Sequence, residues 1–264
     1  MAKRPTDRVP IPPLVRELAG DDPLDLVWRN EAGGLTYAVG DPIEYYLKWH
    51  PRPDEIDLER EAERMRWLGV RMPAPTVRTV GRRNGELYLC TEALPGRSAV
   101  DERWLADPAS AVAAIGTGLR RLHDTVPVDG CPYAWRTDDR VADARRRLDD
   151  GLLDRAKPVG PEPIITAAEA VAHVERAVPD PDLVVCHGDA CAPNTLLADD
   201  GSFLALVDLG ALGVGDRWAD LAVATWSTEW NYGPGWERPL LDAYGIEPDV
   251  DRMRYYRLLW DVGP

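Results

Sequence analysis

The chain has 264 residues, of which 45% are hydrophobic and 29% are charged, as is ordinary for a soluble protein with one large domain or two small ones. Its formal net charge of −14 argues against nucleic-acid binding and is compatible with a cationic small-molecule partner, although solubility alone also explains it. No stretch reaches the roughly 20 apolar residues of a membrane helix, and the N-terminus has no apolar signal core, so we expect a cytoplasmic protein that binds neither nucleic acid nor membrane.

The first third of the chain shows the patterns of β-strands and one helix. Apolar runs rich in β-branched and aromatic residues are separated by Gly-Gly and Gly-Asp-Pro turn signals. A helical pattern follows, and two further strand patterns flank the turn RRNGE. The helix is predicted over 54–68 and the strands over 26–30, 35–39, 43–49, 75–80 and 86–93.

Helical patterns dominate after the segment LPGRS at 94–98. An Asp-Pro pair at 107–108 supplies a helix cap and a first-turn proline, and apolar residues recur after it at helical spacing. Two more helices are predicted over 140–153 and 166–178, and the second opens on a Thr-x-x-Glu capping box. A β-rich N-terminal part followed by a mainly helical C-terminal part is an α+β pattern.

The run VCHGDACAPNTLL at 185–197 places an asparagine five residues after an aspartate. Downstream, two apolar runs flank Asp-Asp-Gly-Ser, which is a hairpin signal. If the hairpin is symmetric about Gly201, Asn194 and Asp208 face each other at its open end, with Cβ atoms roughly 5 Å apart. An amide oxygen and a carboxylate at that spacing suit Mg²⁺ with a phosphate partner, and Asp189 lies in the loop leading into the same site. Either residue alone is explained as a turn former at a strand end, but the set together favours the metal site.

Lys48 is one of only three lysines in a chain that otherwise uses arginine, and it lies in the apolar, strand-like run IEYYLKW. On the predicted helix, Glu61 shares a face with Leu58 and Met65, and a charge in an apolar stripe is costly unless it is paired. We therefore predict an ion pair between Lys48 and Glu61 that holds the ammonium ready for phosphates. The alternative is a partly solvated Glu61 at the edge of the stripe.

The turn Gly33-Gly34 between the first two strands is a weaker signal. Glycines without side chains let backbone N–H groups approach a phosphate. A plain hairpin turn explains the pair equally well.

Taken together, these motifs resemble the eukaryotic-like kinase fold, and more specifically the aminoglycoside 3′-phosphotransferase family. The strongest textual similarity lies in LVVCHGDACAPNTLL, VDLGALGVGDRWADLAVAT and YYRLLWD, and weaker similarity extends back to about Tyr45. The resemblance implies a bilobal, protein-kinase-like α+β fold. Its expected parts are a small β-rich nucleotide-binding lobe at 1–92, a hinge at 93–97, and a larger, mainly helical lobe at 98–264 that holds the catalytic loop and the aminoglycoside-binding region.

The resemblance also implies a role for each residue of the nucleotide site. Asp189 is the expected catalytic residue, which orients the acceptor hydroxyl and receives its proton. Asn194 and Asp208 are expected to hold Mg²⁺, while Lys48, positioned by Glu61, contacts the phosphates of ATP or GTP. The remaining expected roles are adenine stacking by Tyr46, backbone bonds to adenine from Thr91 and Ala93, phosphate contacts from Gly33 and Gly34, and bracing of the catalytic loop by Asp220.

The substrate side departs from the family pattern. A polycationic aminoglycoside needs carboxylates, and the resemblance places them at Asp154, Glu229 and Asp261. The loop at 155–163 reads RAKPVGPEP at the place where the family has two acidic ligands. The sequence given ends in WDVGP, whereas the family's C-terminus is aromatic, and Trp226 occupies a position where an arginine is common in the family. We expect these departures to narrow or change the range of accepted drugs.

The sequence thus predicts a monomeric or weakly dimeric, ATP-dependent O-phosphotransferase. Its expected substrate is a hydroxyl, the 3′-hydroxyl first, of an aminoglycoside antibiotic such as kanamycin, and its expected effect is drug resistance. Two alternatives stay open at this point. One is a kinase of the same fold that acts on another antibiotic or metabolite, and the other is a non-catalytic binder of a cationic ligand.

Overall fold

The computed structural model describes residues 9–30, 32–52, 56–154, 158–159 and 165–263. The chain divides into two units that are each internally compact. The first unit is Met1–Gly96 together with Ala205–Gly210, and the second is Arg97–Leu204 together with Ala211–Pro264. In the part of the chain that the structure describes, no helix combines the length and the apolar character that crossing a membrane requires.

The first unit contains a five-stranded antiparallel sheet in the order β1-β2-β3-β5-β4. One face packs on α1 through residues such as Leu47, and the other packs on α2 through residues such as Leu89. Lys48 lies opposite Leu89 and therefore points to the α2 face. The element bounds are α1 Pro13–Ala19, β1 Leu24–Arg29, β2 Leu35–Val39, β3 Tyr45–His50, α2 Leu58–Gly69, β4 Val77–Arg83 and β5 Glu86–Glu92.

The helix α2 begins at Leu58, four residues after the predicted start at Asp54. The reason is the cap: the side chain of Asp57 accepts a hydrogen bond of 2.8 Å from the Arg60 N–H and so satisfies one of the first-turn donors. Residues 53–55, which include the predicted start, lie outside the described residues. The short helix α1 was not predicted at all.

The second unit is mainly helical. Its core is formed by apolar residues of α4, α5, α6, α7, α8 and α9 around the short strand β9. The bounds are β6 Arg97–Ser98, α3 Glu102–Leu105, α4 Pro108–Thr125, α5 Thr137–Asp149, β7 Pro158–Val159, β8 Ile165–Thr166, α6 Ala167–Arg176, β9 Leu183–Cys186, a 3-10 helix Ala192–Asn194, β10 Thr195–Leu197, β11 Phe203–Leu206, whose last two residues belong to the first unit, β12 Gly213–Asp216, α7 Arg217–Tyr232, α8 Glu237–Tyr244 and α9 Val250–Val262.

The caps of the second unit follow the sequence signals. Asp107 accepts from the N–H of Ser110 at the start of α4, and Thr166 and Glu169 form the complete capping box of α6. The helix α5 covers Thr137–Asp149 rather than the predicted 140–153. It ends earlier because Gly151, with φ of 74°, turns the chain out of the helical path.

The hairpin after β10 differs from the predicted register. The Ala198 N–H donates to the carbonyl of Ser202 and the Gly201 N–H to the carbonyl of Ala198, each at 2.9 Å. Gly201 has φ of 85°, as expected for the glycine that closes a three-residue hairpin loop. The pairing is therefore centred on Asp200, and the predicted symmetry about Gly201 is wrong.

Gly116 allows α4 and α8 to approach closely. A Cβ at this position would lie 2.7 Å from the carbonyl oxygen of Leu240 and 2.8 Å from the Cβ of Ala243. Neither atom is the end of a flexible side chain, so a side chain here has to push two helices apart.

We expect Gly116→Ala to lower the free energy of unfolding by about 1–3 kcal/mol, because it overpacks the contact between α4 and α8. Gly69→Ala is the matched control, since a Cβ on this exposed glycine of α2 meets nothing within 4 Å. Urea unfolding of both variants measures the difference. Equal stability of the two variants would show that the helices yield at no cost.

Candidate active site

Lys48 lies on β3 and contacts two carboxylates. Its Nζ donates to Oε1 of Glu61 at 2.7 Å and to Oδ1 of Asp208 at 2.8 Å. The side chain of Glu61 is 5% exposed, whereas that of Asp208 is 44% exposed. The ion pair between Lys48 and Glu61 that the sequence predicts is therefore present, and the Asp-Leu-Gly turn supplies a further partner.

The electrostatic balance keeps Lys48 charged. Burial by itself would lower the pKa of the ammonium group, but the carboxylates of Asp208 and Glu61 outweigh burial and raise the pKa of Lys48 above its ordinary value. The same three groups line a cavity of the first unit together with Asn30 and Gly34. An ammonium group that keeps its proton does not suit proton abstraction. Because two carboxylates already neighbour this ammonium, its contact with a phosphate stays a prediction.

Arg64 connects α2 to the Asp-Leu-Gly turn. The sequence patterns did not predict a role for this residue. Its side chain is buried, and Nη1 donates to the carbonyl oxygen of Gly210. Asp208 in the same turn has φ of 61°, in the left-handed region that costs a non-glycine residue free energy. The bond from Arg64 helps to hold that conformation. Helical spacing could have found it, because Arg64 lies three residues after Glu61 and shares its side of the helix.

Gly33 and Gly34 form the turn between β1 and β2. The Gly33 N–H donates to the carbonyl of Asn30 at 3.2 Å, and the Gly34 N–H donates to the Oδ1 of Asn30 at 2.6 Å. A Cβ on Gly34 would lie 2.7 Å from both the Nδ2 of Asn30 and the Cδ2 of His50. Both N–H groups are thus engaged inside the turn, which favours the plain hairpin explanation. Their approach to nucleotide phosphates stays a prediction.

The residues expected to bind adenine lie on β3 and at the end of β5. Tyr46 shares a sheet face with Lys48 and lies opposite Thr91. The Ala93 N–H donates to the carbonyl of Glu44 at 3.0 Å. An adenine would therefore have to share this donor with Glu44 or replace it. The three adenine contacts stay predictions.

The loop after β9 in the second unit is held by a buried carboxylate. Asp220 on α7 accepts from the His187 N–H at 2.6 Å and from the Gly188 N–H at 3.0 Å, so it braces the loop as the resemblance implies. The ring of His187 is fully buried, and its Nδ1 accepts from the Asp189 N–H at 3.2 Å. Gly188 has φ of 86°, and a Cβ on it would lie 2.3 Å from the carbonyl oxygen of Ala211. The His-Gly pair is therefore structural, and it fixes the backbone at Asp189.

Asp189 and Asn194 meet at the other end of this loop. The Nδ2 of Asn194 donates to the backbone carbonyl of Asp189 at 2.9 Å and to its Oδ2 at 3.1 Å. Asn194 ends the 3-10 helix and is 8% exposed, while Asp189 is partly exposed. The Ser98 hydroxyl donates to the carbonyl of Pro193 at 2.9 Å and so anchors the short helix. The structure thus brings the two predicted residues of the second unit together.

Asp220 has a further partner that was missed from the sequence, the Nε2 of His123 at 3.0 Å. Although burial acts to raise the pKa of Asp220, the hydrogen bonds that it accepts from His123 and from the Gly188 N–H help to lower that pKa. The segment LRRLHD that contains His123 resembles the family. The contact between His123 and Asp220, however, spans 97 residues of the sequence, so no local pattern predicts it.

Asn194 and Asp208 offer the oxygen atoms that a divalent cation needs. Because the amide nitrogen of Asn194 donates to Asp189, its amide oxygen is the atom that remains for a cation. Asp208 offers a half-exposed carboxylate. Both are hard ligands of the kind that Mg²⁺ takes, so the residues fit the ion. Asn194 belongs to the second unit and Asp208 to the first, and their joint coordination of one ion stays a prediction.

The residues expected to bind the substrate lie on two helices of the second unit and in the segment that follows α5. Glu229 is exposed on α7, Asp261 is half-buried on α9, and Asp154 is exposed after α5. Trp226 on α7 packs against Trp230 with ring centroids 4.9 Å apart. The three acidic roles stay predictions. Most of the departing loop, at 155–157 and 160–163, lies outside the described residues, as does residue 264.

Comparison with known proteins shows similarity over most of the chain. Residues 29–256 match the phosphotransferase enzyme family. The chain is 37% identical over 248 residues to an aminoglycoside 3′-phosphotransferase of Streptomyces fradiae. The matched region covers 88% of this chain and 91% of that relative.

Solved structures agree. The aminoglycoside phosphotransferase APH(3″)-Id of Streptomyces rimosus matches with a TM-score of 0.77 and 28% identity, over 93% of this chain and 94% of that chain. The structure of the same enzyme in complex with ADP and streptomycin matches with a TM-score of 0.73 and 26% identity, over 93% and 94%. The kinase-like α+β fold and the family resemblance predicted from the sequence are confirmed.

We expect Asp220→Asn to destabilise the protein by about 2–4 kcal/mol at pH 7, because it places an amide N–H₂ against buried donors and leaves His123 with a weaker acceptor. The pKa of Asp220 is lowered in the folded protein, so its contribution is complete above the ordinary carboxyl pKa of about 3.9 and is lost as the pH falls through the lowered value. The stability gap between wild type and variant should therefore narrow below about pH 4.

Urea unfolding at several pH values measures this gap. The control is Asp129→Asn, an equal change of charge at an exposed residue of the turn after α4, which should leave stability nearly unchanged at every pH. A gap for Asp220→Asn that is as wide at pH 3 as at pH 7 would contradict the role of the ionised carboxylate.

Proposed function

Because the chain belongs to the phosphotransferase enzyme family, we propose that it transfers the γ-phosphoryl group of ATP to a hydroxyl of an aminoglycoside antibiotic. The observation that carries the proposal is the Asp189 carboxylate, held by Asn194 at the end of a loop that Asp220 braces. A carboxylate presented in this way is what a kinase uses to orient an alcohol nucleophile.

In the proposed reaction a bond forms between the acceptor oxygen and the γ-phosphorus, and the bond from that phosphorus to the oxygen of ADP breaks. Asp189 orients the hydroxyl and takes its proton. Lys48, kept charged by Glu61, binds the phosphates. Asn194 and Asp208 would each offer an oxygen to Mg²⁺, which would neutralise phosphate charge. Little covalent chemistry is left for the protein, so positioning accounts for most of its contribution.

The aminoglycoside assignment is supported by charge and by the relatives. Aminoglycosides are polycationic, and the chain carries a net charge of −14 with candidate acidic ligands at Asp154, Glu229 and Asp261. The Streptomyces fradiae relative is named for the 3′ position. The Streptomyces rimosus structure, named for the 3″ position and solved with streptomycin, supports a second candidate acceptor. Of the two candidate acceptors, we propose the 3′-hydroxyl as the first choice. The choice between ATP and GTP, the cytoplasmic location and the monomeric or dimeric state stay predictions.

We expect Asp189→Asn to lower kcat by about 10²–10⁴-fold, because the variant can no longer accept the proton of the hydroxyl. Release of ADP in a coupled assay with kanamycin measures the rate, and calorimetry with a non-hydrolysable ATP analogue should show nucleotide binding preserved. The matched control is Asp199→Asn, since Asp199 is 86% exposed in the hairpin loop and should be dispensable. If Asp189→Asn and wild type show the same ADP release, the proposed function fails.

The position of transfer is tested with a drug panel. We expect phosphorylation of an aminoglycoside that has a 3′-hydroxyl, no phosphorylation of the matched analogue that lacks it, and a product whose phosphorus NMR couplings place the phosphate at that carbon. Transfer to streptomycin alone would favour the 3″ position. Activity confined to compounds that are not aminoglycosides would identify a kinase of the same fold with another substrate, and tight binding without transfer would identify a binder.

A further inference from the structure

A chain of hydrogen bonds runs from α8 to the catalytic loop inside the second unit. The Nη1 of Arg217 donates to the hydroxyl oxygen of Tyr244 at 3.1 Å. That hydroxyl lies 2.8 Å from the Nδ1 of His123, whose Nε2 lies 3.0 Å from the Oδ2 of Asp220. Asp220 in turn holds the N–H groups of His187 and Gly188, the two residues before Asp189.

The two ends of the chain fix the direction of every bond in it. An arginine only donates, and both oxygens of Asp220 already accept loop N–H groups, from His187 and Gly188, as those of an ionised carboxylate do. The Nε2 of His123 must therefore carry a proton. Burial raises the pKa of Tyr244 to about 12, so its hydroxyl keeps its proton at neutral pH. Because the Tyr244 oxygen already accepts from Arg217, that proton points to the Nδ1 of His123, which accepts it as the unprotonated nitrogen of a neutral ring.

We propose that Tyr244 is a positioning residue for the phosphoryl transfer: it holds His123 as the neutral tautomer protonated at Nε2, and so keeps Asp220 and the loop in the geometry that presents Asp189. The inference rests on the proposed function only for its catalytic consequence. The tautomer itself follows from the hydrogen bonds of the second unit.

A doubly protonated His123 does not fit these surroundings. Its Nδ1–H and the Nη1–H of Arg217 would both point at the Tyr244 oxygen, and the Tyr244 proton would need another acceptor at a residue that is 1% exposed. The charged and titratable groups that face this network are Asp220 and Arg217 from α7, Tyr244 from α8, Arg120 and Asp124 from α4, Arg140 from α5, Cys186 from β9, and Asp182 and His187 from the segments on either side of β9.

The first test observes the tautomer directly and needs no substrate. The chain has only four histidines, so the ring nitrogens of His123 can be assigned in ¹⁵N NMR spectra by comparison with a His123→Gln sample. In the wild type at neutral pH we expect a protonated Nε2 and an unprotonated, hydrogen-bonded Nδ1. In Tyr244→Phe the Nδ1 loses its donor, and we expect its signal to move further from that of a protonated nitrogen, with faster amide hydrogen exchange at Gly188.

The second test is kinetic. We expect Tyr244→Phe to lower kcat by about fivefold to tenfold, the effect of losing one hydrogen bond that orients a catalytic group, with KM for nucleotide and drug changed by less than about twofold. The matched control is Tyr255→Phe. Tyr255 is equally buried and its hydroxyl donates to the carbonyl of Val174 at 3.0 Å, outside the chain of bonds to His123.

The proposal is overturned if wild-type His123 is doubly protonated or carries its single proton on Nδ1 at neutral pH. It is equally overturned if Tyr244→Phe and Tyr255→Phe have the same kcat and the same exchange rate at Gly188. If no drug is phosphorylated by the wild type, the proposed function fails, while the NMR and exchange measurements still decide the role of Tyr244.

Discussion

The fully buried carboxylate of Asp220 is the constraint on which the second unit depends. A negative charge away from water is stable only if donors surround it, and here the donors are two loop N–H groups and His123. Those donors come from the loop after β9 and from α4, while the carboxylate comes from α7. Satisfying one charge therefore fixes three distant segments relative to one another, and the geometry at Asp189 is a consequence of that requirement.

In the first unit the group that needs partners is a cation, the ammonium of Lys48. Lys48 is placed on the α2 face of the sheet by the register of β3, and Glu61 meets it there because the cap at Asp57 sets where the turns of α2 begin. Asp208 adds a second carboxylate from a turn that Arg64 restrains. With two negative partners the ammonium group of Lys48 stays protonated, so it does not change its charge near neutral pH.

Local chemistry explains which parts were predictable from the sequence. The Lys48–Glu61 pair followed from a charge in an apolar stripe, and the cap of α4 and the capping box of α6 followed from short motifs. The hairpin register failed because a glycine in the left-handed region makes a three-residue loop, which pattern symmetry does not reveal. His123 and Tyr244 were missed because their contacts span 97 and 121 residues, and such partners are set by tertiary packing rather than by spacing. The family resemblance supplied the role of Asp220, which no local signal carries.

Asp220 and Asp189 are two carboxylates at the loop after β9, and their different surroundings suit them to different roles. Asp220 is fully buried, both of its oxygens accept hydrogen bonds, and its lowered pKa opposes protonation, so it is unsuited to receive a proton from a substrate. Asp189 is partly exposed, and Asn194 donates to its Oδ2. Of these two carboxylates, only Asp189 is exposed enough for the role proposed for it, which is to meet an external hydroxyl. The same network that makes Asp220 unsuited to proton transfer holds the backbone on which Asp189 is presented, so the carboxylate proposed to react depends on the structural one for its position.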